Sequence, residues 1–330
     1  MATESAAPIS LTMADIRAAR ALLGDRVRTT PTLALRGPAI EAALPPGTQA
    51  ILKLELFQHT GSFKARGALV NALSLNAAER QRGICAISAG NHAIAAAFAA
   101  QAVGASAKIV MKVGASAFRI AECRRYGGEV VLEPDFHVAF KRVDEIRDRE
   151  GRTLVHPFEG IRTASGTGTL GLEFIEQVPD LDAVIIPIGG GGLAAGVATA
   201  MRLSKPDIEI YGVEPFGADS MYRSFEKGSP QTLEKIDTIA DSLGAPYALP
   251  ISYALCRASI DEIVRIRDEE MVAAMRFLLE HVRLAVEPAG ASATAALLGP
   301  LRERLAGRRV GLIICGSNID AATYSRLIGG

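Results

Sequence analysis

Four consecutive glycines, Gly189-Gly190-Gly191-Gly192, follow an apolar run at 183–188 and precede a helical pattern at 193–203. Glycine loses more conformational freedom on ordering than any other residue, so four in a row are costly to fix in place. A plain turn would need only two. The run makes sense where the backbone itself must come close to something. Successive N–H groups at the head of a helix form a nest for an anion, and any side chain would be in the way. The unit therefore reads as buried strand, backbone nest, helix.

That rhythm recurs along the chain. Strand-like runs lie at 50–56, 84–88, 108–111, 129–132, 153–155, 183–188, 208–214 and 309–315. Helical patterns lie at 64–75, 92–103, 136–149, 193–203 and 269–281, and an earlier helix starts after Thr12, with Asp15 placed to close its cap. Alternation of this kind predicts an α/β protein with parallel-type sheets and helices on both faces. Ligands of such sheets bind beyond the carboxyl ends of the strands. Residues 217–250 are less periodic and read as a loop-rich excursion near the site. The charged stretch 141–152 reads as a solvated helix face.

Composition narrows the partners. The 330 residues allow one large domain or two lobes. Lys+Arg and Asp+Glu balance at 36 each, which gives no electrostatic reason to expect nucleic acid or an anionic membrane. No apolar stretch reaches the roughly 18 residues a membrane helix needs. The first residues, 1–9, are small and polar and do not form a signal peptide. Cys85, Cys123, Cys256 and Cys315 are widely spaced and make no metal-type pair, so reduced thiols and a cytoplasmic address are expected.

Three further segments carry chemistry. Thr60-Gly61-Ser62-Phe63-Lys64-Ala65-Arg66-Gly67-Ala68 sets a lysine after an aromatic at a helix start. On its own such a lysine is more often a surface residue, but partial burial would lower its pKa and free it as a nucleophile. Ser88-Ala89-Gly90-Asn91-His92 follows a strand and opens a helix, which suits a carboxylate and would equally suit a simple turn. Cys315-Gly316-Ser317-Asn318 ends the last strong strand and should face the same crevice, unless Cys315 is merely a core thiol.

In this order the segments resemble the fold-type-II pyridoxal-phosphate (PLP) enzymes, of tryptophan synthase β-like fold. The resemblance is strongest to the serine/threonine dehydratase branch that includes serine racemases and hydroxyaspartate dehydratases, and it runs from about 15 to 327. It implies that Lys64 carries PLP as a Schiff base and then removes the substrate's α-proton. Phe63 would pack beside the ring, Asn91 would hold its 3′-oxygen, and Gly189, Gly190, Gly191, Gly192 and Leu193 would hold the phosphate. Cys315 would face the pyridine nitrogen. Ser88, Ala89, Gly90, Asn91 and His92 would bind the substrate carboxylate. Val286-Glu287-Pro288-Ala289-Gly290-Ala291 also matches, which puts Glu287 near the ring without a stated role.

The implied reaction is β-elimination from a β-hydroxy-α-amino acid to a 2-keto acid and ammonia. A neutral thiol at Cys315 leaves the ring a weaker electron sink than an aspartate would. Racemases of the branch carry a second serine where this chain has Ala89, and an alanine moves no proton, so dehydration is expected over racemisation. Ala93-Ile94-Ala95, the segment Thr163-Ala164-Ser165-Gly166-Thr167-Gly168-Thr169, and Ser242 also depart from threonine dehydratases. These changes are expected to face the substrate side chain, which leaves threonine, serine, 3-hydroxyaspartate and phenylserine open. His59, His137, Arg162 and Tyr222 are weaker candidates. Glu214, Ala218 and Ser220 match the family's metal segment. Ser220 offers only a neutral oxygen, so a monovalent cation such as K+ is expected rather than Mg2+.

The resemblance further implies a small mobile lobe at 71–151 inserted into a large PLP-binding lobe, 1–70 and 152–330. It implies a homodimer acting on a small amino acid, and no regulatory extension after Gly330. The competing readings are a β-replacement enzyme of the cysteine synthase type, an amino-acid racemase, and a PLP-fold binding protein without turnover.

Overall fold

The computed structural model describes residues 9–329. Residues 1–8, on which most of the expectation about a signal peptide rests, and Gly330 lie outside the described residues.

Among the described residues ten strands form two sheets. The larger has the order β1-β2-β10-β7-β8-β9, built from β1 (Thr32–Ala34), β2 (Gln49–Leu54), β10 (Arg309–Ile314), β7 (Ala183–Pro187), β8 (Glu209–Pro215) and β9 (Glu262–Ile266). Only the edge pair β1 and β2 is antiparallel; the other pairings are parallel. The smaller sheet has the order β5-β4-β3-β6 and is parallel throughout, from β3 (Ile84–Ile87), β4 (Ala107–Lys112), β5 (Gly128–Glu133) and β6 (Thr153–Leu154). The expected α/β architecture is the observed one. The central strands are buried along their length, as strands covered by helices on both faces must be, so they read as continuous apolar runs.

The expected helix after Thr12 runs from Met13 to Leu23. Thr12 and Asp15 cap it reciprocally: Asp15 N–H donates to Thr12 Oγ1 at 3.2 Å and Thr12 N–H to Asp15 Oδ2 at 2.9 Å. The Lys64 helix is Lys64–Leu73, the Asn91 helix Asn91–Ala102 and the glycine-loop helix Gly192–Ser204. The pattern at 269–281 is α-helical only over Asp268–Phe277 and then widens into a π-type turn, Leu278–Val282.

One long helix, Ile161–Gln177, was invisible in the pattern because Gly166, Gly168 and Gly171 look like breakers. The structure gives them a different purpose. A Cβ on Gly166 would lie 2.7 Å from Gly67 Cα of the Lys64 helix, and one on Gly171 would lie 2.7 Å from Val197 O of the glycine-loop helix. The three helices touch backbone to backbone, and only glycine permits the approach. Thr163–Thr169 are thus part of a packed helix and do not line the cavity described below. Thr167 Oγ1 donates to Gly192 O at 2.7 Å and supports the loop from behind.

This layout positions the site. The carboxyl ends of β3, β7 and β10 all open on one cavity between the two sheets. That is where a doubly wound sheet binds its ligands.

Candidate active site

The cavity is about 540 Å³. Its walls bring together Phe63, Lys64, Ser88, Ala89, Gly90, Asn91, His92, Gly189, Gly190, Gly191, Gly192, Leu193 and Cys315. These come from four separated stretches of sequence.

Lys64 starts its helix just past a strained turn. Thr60 sits at φ +64°, a left-handed conformation unusual for a β-branched residue, and Gly61 follows at φ +69°. Strain of this kind, of order 1–3 kcal/mol, persists only where neighbours enforce it. Asn318 does so: its Nδ2 donates to Thr60 O at 2.7 Å, and a Cβ on Gly61 would meet its Oδ1 at 2.7 Å. Phe63 N–H donates to Cys315 O at 3.1 Å, tying the lysine to the end of β10. Lys64 Nζ donates to Pro157 O at 2.5 Å and lies 5.1 Å from the Phe63 ring centre. It lines the cavity, and among the described residues no carboxylate salt-bridges it. Burial brings its pKa down to about 8, only partly opposed by Cys315 and Glu287.

The glycine loop has the geometry of a cradle. A Cβ on Gly190 would lie 2.3 Å from the Phe158 ring, and one on Gly192 would lie 2.6 Å from Phe158 O. Gly191 is at φ +90°. The loop can come this close to Phe158 and still turn into a helix only without side chains. The first N–H groups of that helix have no partners within it and are available to an anion.

Around Asn91 the structure builds a buried polar network that sequence reasoning largely missed. Asn91 Nδ2 donates to Glu287 Oε1 at 2.6 Å and, more loosely, to Ser242 Oγ at 3.3 Å. Asn91 Oδ1 accepts from Asn318 Nδ2 at 2.7 Å. Glu287 also accepts from Ser242 Oγ at 3.1 Å and from Arg119 Nη2 at 3.2 Å. Arg119, on the helix Ala117–Arg125 beside the smaller sheet, reaches across to Asp241 and to Asn318 O as well. Burial pushes Glu287 up, against the pull of Arg119. Arg119 had no motif to mark it. Glu287 was expected nearby and now has defined partners, and Ser242 does line the cavity.

Two histidines and the Cys315 thiol are held neutral. Burial, helped by the Lys64 charge, takes His92 down to about 3 and His156 to about 4. His92 Nε2 faces Val155 O at 2.8 Å, and His156 Nδ1 accepts the N–H groups of Phe158 and Glu159. Burial and the nearby Glu287 push Cys315 well above a normal thiol, so it presents a neutral S–H to the cavity.

PLP fits these residues: a half-buried amine, a side-chain-free anion cradle, and an amide N–H on Asn91 held only loosely. Glu214, Ala218 and Ser220 lie outside the cavity lining. Glu214 is buried and accepts N–H groups from Met221 at 3.1 Å and Tyr222 at 2.7 Å, while Ser220 Oγ is buried without a partner. Among the described residues no group of three or more His, Cys, Asp or Glu is placed to hold a metal. His59, His137, Arg162 and Tyr222 are likewise outside the lining among the described residues: His59 stacks on Phe98, and Tyr222 carries the Arg265 guanidinium on its ring.

A family profile described as "Pyridoxal-phosphate dependent enzyme" matches residues 24–316. The chain is 51% identical over 310 residues to phenylserine dehydratase of Ralstonia pickettii, covering 94% of each protein. It is 37% identical over 319 residues to L-threonine ammonia-lyase of Thermotoga maritima, covering 96% of this chain and 78% of the relative. The solved structure of maize serine racemase superposes with a TM-score of 0.90 at 34% identity, covering 96% of each chain.

Proposed function

The chain belongs to the pyridoxal-phosphate-dependent enzyme family, and from that premise we propose how its residues divide the work. It is a fold-type-II dehydratase that takes β-hydroxy-α-amino acids to 2-keto acids and ammonia. The substrate we assign is one with an aryl group on the β-carbon, of the phenylserine type.

The observation that carries the assignment of roles is Lys64 itself. It is a half-buried amine with no carboxylate salt-bridge partner among the described residues, lining one cavity with the glycine cradle. Bound PLP supplies the electron sink that makes the α-proton removable. Lys64 Nζ is the base that takes that proton, and a pKa near about 8 suits it to neutral conditions. The N–H groups and hydroxyl of Ser88–His92, at the head of the Asn91 helix, orient the substrate carboxylate. Asn91 is kept in place by Glu287 and Asn318 to hold the ring oxygen. Gly189–Gly192 and Leu193 would hold the phosphate, which would supply an acid–base group to the reaction. Cys315 stays a neutral neighbour of the pyridine nitrogen.

The aryl reading rests on the Ralstonia relative, a phenylserine dehydratase, and on the aromatic side chains of Phe140, Phe158 and Tyr247 in the cavity lining. Ala89 offers no hydroxyl to return a proton on the second face, which disfavours racemisation.

We also assign movement of the small lobe, 71–151, over the site, with β6 tying its end to β3. A K+ ion beside Glu214, Ala218 and Ser220 is supported by the unpartnered Ser220 hydroxyl. Four free, buried cysteines accord with a reducing cytoplasm, and family habit with a homodimer. The test is ammonia and keto-acid release from the PLP-loaded protein with threo- and erythro-phenylserine, threonine, serine and 3-hydroxyaspartate. Phenylserine should have the highest kcat/KM. A preference for 3-hydroxyaspartate would refute the aryl assignment, and keto acid from none of them would refute the dehydratase roles.

A further inference from the structure

Resting on that reading, the walls of the cavity allow the aryl group to be placed. Three rings run in a row along one side. Phe158 is buried, 8% exposed, with its ring against Gly190. Its neighbour in sequence, Pro157, accepts the Lys64 hydrogen bond, so the row starts beside the reacting lysine. Tyr247 follows, 6.0 Å from Phe158 between ring centres and tilted by 55°. Phe140 comes last, 6.5 Å from Tyr247 and tilted by 47°. It is 37% exposed although it is fully apolar, and it lines the cavity.

The chemistry of this wall is uniform. Ile236 and Pro246 lie in the same lining. The adjacent polar ring, His156, stands edge-on to Phe158 at 4.6 Å and is neutral. Rings 6.0–6.5 Å apart and tilted by about half a right angle are in ordinary aromatic contact and make one continuous apolar face on the cavity. A flat apolar group lying against that face can meet ring faces and edges at once, as aromatic pairs prefer. A methyl group would leave most of this wall wet.

We propose that Phe140, Phe158 and Tyr247 form the subsite for the aryl ring on the substrate's β-carbon. The subsite is shared between two parts of the fold. Phe140 lies on the helix Phe136–Glu150, which packs on the smaller sheet, whereas Phe158 packs on the glycine loop that follows β7 of the larger one, with Tyr247 against it. An aryl substrate therefore draws the two parts together, and Phe140 trades its exposure for contact with the substrate.

The experiment compares PLP-loaded wild type with Phe140→Ala, Phe140→Leu and Tyr247→Ala on phenylserine and threonine. The PLP absorbance spectrum verifies that each variant is loaded. Phe158 is left alone, because truncating it would undercut the glycine loop. The ratio of kcat/KM for phenylserine to that for threonine should fall at least about tenfold in Phe140→Ala, mostly through KM, and less in Phe140→Leu, which keeps apolar area. A ratio unchanged within about twofold overturns the subsite, whether both activities persist or both fall together. Variants that leave the ratio alone in an enzyme that does dehydrate phenylserine sink only the subsite. A wild type that dehydrates threonine and ignores phenylserine sinks the aryl reading as well.

Discussion

Lys53 is fully buried and Lys64 half-buried against the cavity, and the structure gives them different partners. Lys53, on β2, donates to Thr30 O at 2.7 Å, Glu173 Oε1 at 2.5 Å and Gln177 Oε1 at 2.7 Å. Three protons meet three acceptors. Glu173 in turn pairs with Arg66 at 3.0 Å, and Arg66 with Glu55 at 2.8 Å, so two cations and two carboxylates close a buried network. Lys64 has one carbonyl, an aromatic ring and a cavity. Arg66 is two residues further along the same helix as Lys64, so one helix carries a sealed charge on its core side and an unsealed one on its cavity side. Burial that comes with a complete set of partners holds a fold together. Burial lowers the pKa of both lysines; Glu173 opposes it at Lys53, whereas at Lys64 it is opposed only by Cys315 and Glu287 and brings the pKa to about 8, which is a chemical capacity.

Exchanging these lysines for apolar residues should separate the two roles. Lys64→Ala gives the largest effect: kcat/KM for ammonia release falls by at least about 10³-fold, because the α-proton loses its base. Its fold should not suffer. A shift from 10.5 to about 8 means the charged form is disfavoured by about 3 kcal/mol. With PLP absent, Lys64→Ala should be at least as stable to urea at pH 7 as wild type. Retained turnover, or a large drop in stability, would place Lys64 on the structural side of the comparison.

Lys53→Met should do the reverse. It leaves Glu173 and Gln177 short of a donor in a dry interior, and breaking a buried pair in this way costs about 3–5 kcal/mol. The urea midpoint should drop accordingly, while kcat of the fraction that remains folded and PLP-loaded stays within about threefold of wild type. If kcat fell as steeply as for Lys64→Ala, the Lys53 network would be transmitting directly to the site.

Motifs carried the readable part of this site. Lys64, Asn91, the glycine loop and Cys315 were legible because each sits at a strand end or helix start where backbone geometry restricts the residue type. Arg119, Phe140, His156, Phe158 and Tyr247 were not, because a lone side chain on a helix or loop has no period, and its neighbours are distant in sequence. Strands were legible as apolar runs, with edges off by one or two residues. The helix Ile161–Gln177 was hidden by its own glycines, which serve close helix packing there and not turning. β9 and the helix Pro288–Leu298 went unread too; the latter is apolar on every face and shows no amphipathic stripe. Thr163–Thr169 lie on the helix Ile161–Gln177 outside the main cavity, with Thr163 and Thr167 beside a small recess next to Lys64.

The histidines extend the comparison to pH and carry the smallest effect. His92 and His156 are buried neutral, at about 3 and about 4, against 6.5 for the unfolded chain. A base with a depressed folded pKa contributes stability that is fully present above 6.5 and is lost as the pH falls toward the folded value, because the unfolded chain then binds the proton that the fold refuses. Each should therefore cost up to about 2 kcal/mol by pH 5. Other groups act in that range. Burial also lowers His59, with Arg28 adding to it, while Glu214 and Glu287 are pushed up by burial and oppose the trend. The informative quantity is thus a difference. His156→Gln keeps an acceptor for the Phe158 and Glu159 N–H groups but cannot take up the proton. The difference in unfolding free energy between this variant and wild type, both measured by urea without PLP, should shift by about 2 kcal/mol in the variant's favour between pH 7.5 and pH 5. Parallel curves would mean that His156 titrates normally, and that the cavity beside Lys64 is far wetter than its geometry implies.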